Sequence, residues 1–274
     1  KIITHAHWTK GKKKISKSTG NIVDPVEIIS RLGVDPVRYV LLRQGGIVND
    51  GDYSEEEVQN IITDELSNGL GNLVSRSVSV GINPFKAWPE MHESFFNDAD
   101  REMAAKLALL PSEIDELYKA CEFGKAITHL SSVIADANLF LTSQAPWKLI
   151  PKSSKKAAAA DTSGAVELPP LEEPTLQHYN NKLYICYEAV RLSALLLQPI
   201  TPEFAERILT YLGIPEHLRN PMEQPFGVRW TQHTTLEKIP DNSLILIDER
   251  AKKAEKRANK VERKSVRRDS ASSL

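Results

Sequence analysis

Ser54 and Glu57 stand three residues apart, just before Val58, Ile61, Ile62, Leu66, Leu70 and Leu73. Ser followed at the third position by Glu is a helix-start box, and apolar residues three and four apart line one side of a helix. A stripe of this kind is stable only when packed against other elements. The sequence supplies them. Helical periodicity recurs over about 98–123 and 124–143, where Pro146 stops it, and again through Leu183, Cys186, Tyr187, Val190, Ala194 and Leu197. Asn83-Pro84 is expected to end the first stripe, and a turn at 198–202 leads to a short helix ending near Gly213. The pattern predicts a mainly α fold, an antiparallel helix bundle.

The front of the chain reads differently. Ile2-Ile3 looks like the middle of a strand, and a lysine-rich loop follows. Asp24-Pro25, an N-cap followed by Pro at the first helical position, opens a helix over Pro25–Leu32 that Gly33 ends. Asp35-Pro36 repeats the signal for a second helix through Arg43, and Gly45-Gly46 with Asn49-Asp50-Gly51 punctuates a loop. Residues 1–53 therefore read as a truncated α/β piece. The bundle occupies 54–240, with a polar, Ala- and Pro-rich stretch at 152–174 expected to be a mobile surface insertion. Residues 241–274 read as a short strand at 244–247 and a basic tail. Lys1 rather than Met comes first, so the chain reads as cut from something longer, any N-terminal targeting signal going with the missing part.

Several classes drop out. The apolar runs at 194–200 and 244–247 are far short of the roughly 20 residues of a membrane helix. Cys121 and Cys186 sit in helical patterns and read as buried thiols of a reducing compartment. There is no CxxC, and His5 and His7, on one side of the expected strand, lack further ligands, so no zinc is expected. Charge is balanced overall at −1 but not locally: residues 1–18 carry about +6, residues 250–274 about +7, and the body about −14. Two basic ends on an acidic body suit polyanion contacts at particular places, though such runs also serve as plain solvated surface.

Lys14-Ile15-Ser16-Lys17-Ser18, followed by Thr19-Gly20-Asn21, puts two ammonium groups three residues apart among hydroxyls. Such a loop suits closure over a polyphosphate, where positive charge stabilises negative charge developing on a leaving pyrophosphate. On composition alone, such a loop is usually just solvated. Asn72 and Arg76 lie four apart and share a helix face, where an amide and a guanidinium can bind unpaired bases and phosphate or simply face water. Trp147, after the helix broken by Pro146, can stack on a splayed base or plug the core.

The string KISKS–TGNIVDP resembles the KMSKS signature of class I aminoacyl-tRNA synthetases, with Ile15 for the usual Met. HWT…KISKSTGNIVDP, then DPVRYVLLR at 35–43 and DGDYS at 50–54, resembles the methionyl-tRNA synthetases of the bacterial and mitochondrial branch from the KMSKS loop onward. NLVSR and ANLFLTSQAPW at their separation resemble that family's anticodon-reading elements, and LLLQPITPEFAERIL…LGI its last bundle helices. The resemblance covers 1–150 and 178–215.

It implies a methionine–tRNA ligase using ATP and Mg²⁺, the latter from the catalytic half, with methionine and the CAU-anticodon methionine tRNA as substrates and no membrane partner. Residues 1–53 would be the end of the catalytic domain with its connecting stem-contact segment, and 54–240 the anticodon-binding domain. Lys17 would stabilise the pyrophosphate and Lys14 assist loop closure, within an ATP loop Lys14, Ile15, Ser16, Lys17 and Ser18. Trp147 would stack on the first anticodon base, and Asn72 and Arg76 would bind anticodon bases. Asn138 is a weaker candidate, for which a polar helix–helix contact is the favoured reading. The branch points to the mitochondrial matrix, with the cytoplasm as alternative. The HIGH-type motif of the family's nucleotide-binding half has no counterpart, since His5-Ala6-His7-Trp8 lacks Ile and Gly. The chain alone is expected not to turn over, and a non-catalytic tRNA-binding helical module is the alternative.

Overall fold

The computed structural model describes residues 2–47, 49–85, 87–151 and 172–227. The expected strand at 244–247, the basic tail and nearly all of the expected mobile insertion lie outside the described residues.

Three short strands, β1 (Trp8–Lys10), β2 (Lys13–Lys14) and β3 (Gly51–Asp52), form a sheet in the order β2-β1-β3. β1 and β2 are antiparallel, with Lys10 opposite Lys13, and β1 runs parallel to β3, with Trp8 opposite Gly51. Gly11 and Lys12 make the two-residue hairpin turn with φ of 62° and 59°, the left-handed pair whose twist matches the strands. The strand expected at Ile2-Ile3 is not formed. β3 is only two residues long and pairs with Trp8 and Thr9, and before them the backbone makes two single bonds, Gly51 N–H to the His7 carbonyl at 3.0 Å and Ala6 N–H to the Gly46 carbonyl at 3.3 Å, which do not extend to Ile2-Ile3. Ile2 is exposed, and His5 and His7 do not share a strand face.

Asp24 caps α1 (Pro25–Leu32) as expected, its Oδ1 accepting from the Val26 N–H at 2.8 Å. Asp35 does not cap its own helix. Gly33 stands at that position, α2 (Val34–Gln44) begins before Asp35, and the buried Asp35 carboxylate reaches across the fold to accept from the Phe204 N–H at 2.7 Å. Phe204 lies in the first turn of α8 (Pro202–Tyr211), whose own cap residue Thr201 makes no side-chain cap bond. Asp35 thus fills that role in trans. Burial, the largest influence, raises its pKa, and the Phe204 bond opposes the rise. Arg38 adds bonds to the carbonyls of Ile200 (2.9 Å) and Pro199 (2.8 Å), pinning α2 to the turn before α8.

The first periodic stripe is helical but not one α-helix. It comprises α3 (Glu55–Ile61), a π-helix π1 (Ile62–Gly71) and α4 (Asn72–Ser77). Of the expected capping box, the Ser54 half is present, its Oγ accepting from the Glu57 N–H at 3.4 Å. The helix stops at Ser77, before Asn83-Pro84. Asn83 is a buried bracket, donating from Nδ2 to the Tyr187 hydroxyl at 2.7 Å and the Ala87 carbonyl at 2.8 Å. Then come α5 (Asp98–Lys119), α6 (Phe123–Gln144) and α7 (Thr175–Leu197).

Cross-helix contacts fix the directions. Lys106–Asp136 and Glu113–His129 run in opposite numerical senses, so α5 and α6 are antiparallel. Glu65–Ser131, Asn72–Asn138 and Arg76–Thr142 advance together, so the π1–α4 helix lies parallel to α6. Asp100–Lys182 and Tyr118–Leu196 likewise make α5 and α7 parallel. Successive long helices therefore alternate in direction, as in an antiparallel bundle, and helices two apart in sequence lie side by side in parallel.

Every residue of α7 from Asn181 to Leu197 is buried. Buried polar groups must find internal partners, and here they bind the chain segments around the helix. Lys182 Nζ donates to Asp100 Oδ2 at 2.5 Å, and the same carboxylate closes the capping box of α5 with Asn97. Asn181 bonds both backbone groups of His92 at 2.7 and 2.8 Å. Arg191 holds Glu188 through two bonds of 2.6 and 2.8 Å and donates to the carbonyls of Gln224 and Pro225.

Removing one member of such a pair strands the other charge. Lys182→Met is expected to lower stability by about 3–5 kcal/mol, read as a fall in the urea midpoint. Adding Asp100→Asn, which keeps an acceptor for Asn97, should recover most of the loss.

Candidate functional site

The lysine loop is a pinned hairpin. Lys14 ends β2, Ile15 and Ser16 lead out of it, and Lys17 and Ser18 open a 3₁₀ turn (Lys17–Thr19). Asn21 holds the loop from inside. Its Nδ2 donates to the carbonyls of Lys10 (3.1 Å), Lys13 (3.3 Å) and Lys14 (3.2 Å), while its carbonyl accepts from the Ser16 N–H at 3.1 Å. Ser16 and Ser18 share a hydroxyl–hydroxyl bond of 2.8 Å. Lys14 and Lys17 are exposed, and these bonds hold the loop without using their ammonium groups.

Asp52 anchors the hairpin to β3. Its Oδ1 accepts from Thr9 Oγ1 at 2.6 Å and from the Lys12 N–H at 2.9 Å. The Thr9 bond first, and the Lys12 N–H second, hold its carboxyl below the usual carboxylate range. Trp8 packs beside the loop against Gly51 and Gly45. A Cβ on Gly51 would stand 3.0 Å from the indole, so the close stacking requires glycine there.

The second group lies where π1 passes into α4 beside α6. Asn72 Nδ2 donates to Asn138 Oδ1 at 3.1 Å, and Arg76 Nη2 to Thr142 Oγ1 at 3.0 Å. Asn138 Nδ2 in turn donates to the carbonyls of Gly69 and Ile134, both at 3.1 Å, and Thr142 Oγ1 to the Asn138 carbonyl at 2.9 Å. Asn72, Arg76 and Asn138 are thus brought together as one half-buried ladder. Asn138 bridges the two helices, as the helix–helix contact reading had it. Thr142 was missed, although Asn138 and Thr142 repeat on α6 the four-residue spacing of Asn72 and Arg76. Trp147 follows the end of α6 in a 3₁₀ turn (Pro146–Lys148). Its indole is half-buried against the main core, not fully exposed. The lysine loop and this ladder are separate sites, joined through α2.

Among the described residues, no group of three or more His, Cys, Asp or Glu is placed to hold a metal ion, and no helix is long and apolar enough to cross a membrane.

Residues 1–78 match the family model of class I tRNA synthetases (M). A probable mitochondrial methionine–tRNA ligase of Dictyostelium discoideum is 35% identical over 248 residues, covering 89% of this chain and 40% of that protein. The human mitochondrial methionine–tRNA ligase is 32% identical over 246 residues, covering 85% and 38%. The chain belongs to the methionyl-tRNA synthetase family. The fold agrees: the Mycobacterium tuberculosis methionyl-tRNA synthetase in complex with methionyl-adenylate superposes with a TM-score of 0.71 at 34% identity, covering 86% of this chain and 42% of that one. The chain spans about two fifths of the length of these methionyl-tRNA synthetase relatives.

Because the folded state lowers the Asp52 pKa, the ionised carboxylate stabilises the hairpin above its unfolded pKa. That contribution is lost as pH falls through the lowered folded value. Protection of the Lys12 amide, its exchange relative to an unstructured amide at the same pH, should therefore persist through the ordinary carboxylate range near pH 4 and fall below it. Asp52→Asn should lower that protection at neutral pH and remove the acid step.

Proposed function

We propose that this chain is the C-terminal part of a methionine–tRNA ligase of the bacterial and mitochondrial type, supplying the ATP-binding loop and the anticodon-binding bundle. The observation that carries the reading is the ladder of Asn72, Arg76, Asn138 and Thr142, with Trp147 just beyond the end of the same helix. Asn138 uses its amide on both helices and so orients Asn72. The Asn72 amide and the Arg76 guanidinium then face anticodon bases as a preset pair, which lowers the ordering cost of binding. Trp147 stacks on the first anticodon base through the face of its half-buried indole, a contact worth about 1–3 kcal/mol.

The exposed Lys14 and Lys17 ammonium groups suit ATP phosphates. Lys17 stabilises the departing pyrophosphate as methionyl-adenylate forms, and Lys14 assists closure of the loop held by Ile15, Ser16 and Ser18. Mg²⁺ enters with the ATP and the catalytic half. Without that half to bind methionine and position ATP, the approximation of the reactants is lost, and this chain alone does not turn over. The mitochondrial relatives support a matrix location.

The first test is a titration at fixed salt, since non-specific affinity moves steeply with salt. Methionine tRNA with its CAU anticodon should bind at least about tenfold more tightly than the same tRNA with a changed anticodon, and Trp147→Ala should abolish the difference. Equal binding would reduce the chain to a charge-driven RNA binder. Methionine-dependent ATP–pyrophosphate exchange by this chain alone would overturn its dependence on another half.

A further inference from the structure

Val58, Ile62, Leu66, Leu70 and Val74 are spaced strictly four apart, and all are buried. In an α-helix each such step overshoots a turn by about 40°, so the stripe would wind roughly 160° around the axis. The π-helix at Ile62–Gly71, bonded i to i+5, has wider turns that the same step undershoots, so it offsets the drift of α3 and α4 on either side and the stripe stays buried. Two glycines lie in these turns. A Cβ on Gly71 would lie 3.1 Å from the Leu66 carbonyl oxygen, and one on Gly69 would lie 3.3 Å from that of Asp64, each the residue five back. Relaxing one wide turn to α would rotate the downstream α4 by about 100°, carrying Asn72 and Arg76 away from Asn138 and Thr142.

Something must therefore hold the wide turns. Glu65, inside π1, takes Arg43 Nε on both carboxylate oxygens at 3.1 and 3.2 Å, the Tyr39 hydroxyl at 2.7 Å and Ser131 Oγ at 3.1 Å. Its partners come from α2 and α6, on either side of the segment. At the far end, Asn138 holds the Gly69 carbonyl.

We propose that Glu65 is a positioning residue for anticodon recognition: clamped by Arg43, Tyr39 and Ser131, it holds the π register that presents Asn72 and Arg76. This rests on the anticodon-binding reading above and adds a residue that touches no RNA.

The test uses the full chain with Glu65→Ala and Glu65→Gln. Glu65→Ala should cut the preference for the CAU anticodon by about tenfold or more while leaving affinity for the changed-anticodon tRNA unchanged. Amide exchange across 62–77 should quicken while that of α5 stays slow. Glu65→Gln, which keeps one acceptor, should fall between, and it serves alone if the alanine variant does not fold. Equal loss of affinity for both tRNAs, or unchanged exchange across 62–77, overturns the proposal. Quickened exchange in variants of a chain that shows no anticodon preference to begin with overturns the anticodon reading and leaves the clamp of the register standing.

Discussion

The fold depends on one helix buried on all sides. α7 carries Asn181, Lys182, Glu188 and Arg191 into the interior, and their desolvation cost is met only if specific partners arrive from elsewhere. Those partners are the start of α5 (Asp100), the loop before it (His92) and the segment at 224–227. An apolar α7 would accept its neighbours in several rotations. A polar one accepts them only where the bonds close, and so sets the register of α5 against α7. α6 packs on both, and its Asn138 and Thr142 are carried to a fixed position beside α4.

The front piece is tied to this frame by exchange rather than by a shared core alone. Asp35 caps α8, Arg38 takes two carbonyls of the turn before it, and Arg43 and Tyr39 reach Glu65. Burial and the Glu65 charge both push the Tyr39 hydroxyl pKa far upward, so it stays protonated and donates to that carboxylate. A second apolar cluster, Ile28, Leu32, Val40, Val58 and Ile62, joins α1 and α2 to α3. It crosses from 1–53 into 54–77 without a gap in packing. The lysine hairpin stands apart from these ties: its shape comes from Asn21, Asp52 and the stacking of Trp8, all within the front piece.

Local signals were the legible part of this structure. Asp24-Pro25, Ser54, Pro146 and the helical periodicities locate element ends within a few residues, because each acts over one turn. The long-range assignments were not legible. Asp35-Pro36 has the local form of a cap, yet the side chain is used 169 residues away, and no local pattern encodes that distance. Ile2-Ile3 has strand composition, but a strand needs a partner edge, and β3 is too short to give one. The parallel neighbours follow from alternation: each long helix reverses the one before it, so helices two apart point the same way, and only the packing decides that they touch.

The π-helix differs from these, because the sequence carries a local signal for it. Reading Val58, Ile61, Ile62, Leu66, Leu70 and Leu73 as a 3.6-residue stripe accepts every apolar residue three or four away. The strict four-residue subset ending at Val74 lies between the α and the wider π turn, and so fits a helix that mixes the two. That distinction has a chemical consequence. Four-residue spacing puts Asn72 and Arg76 on one face under either reading, but only the wide turns aim that face at Asn138 and Thr142. Residue choice gives the pair its amide and guanidinium donors, and helix width decides whether they stand against Asn138 and Thr142 of α6.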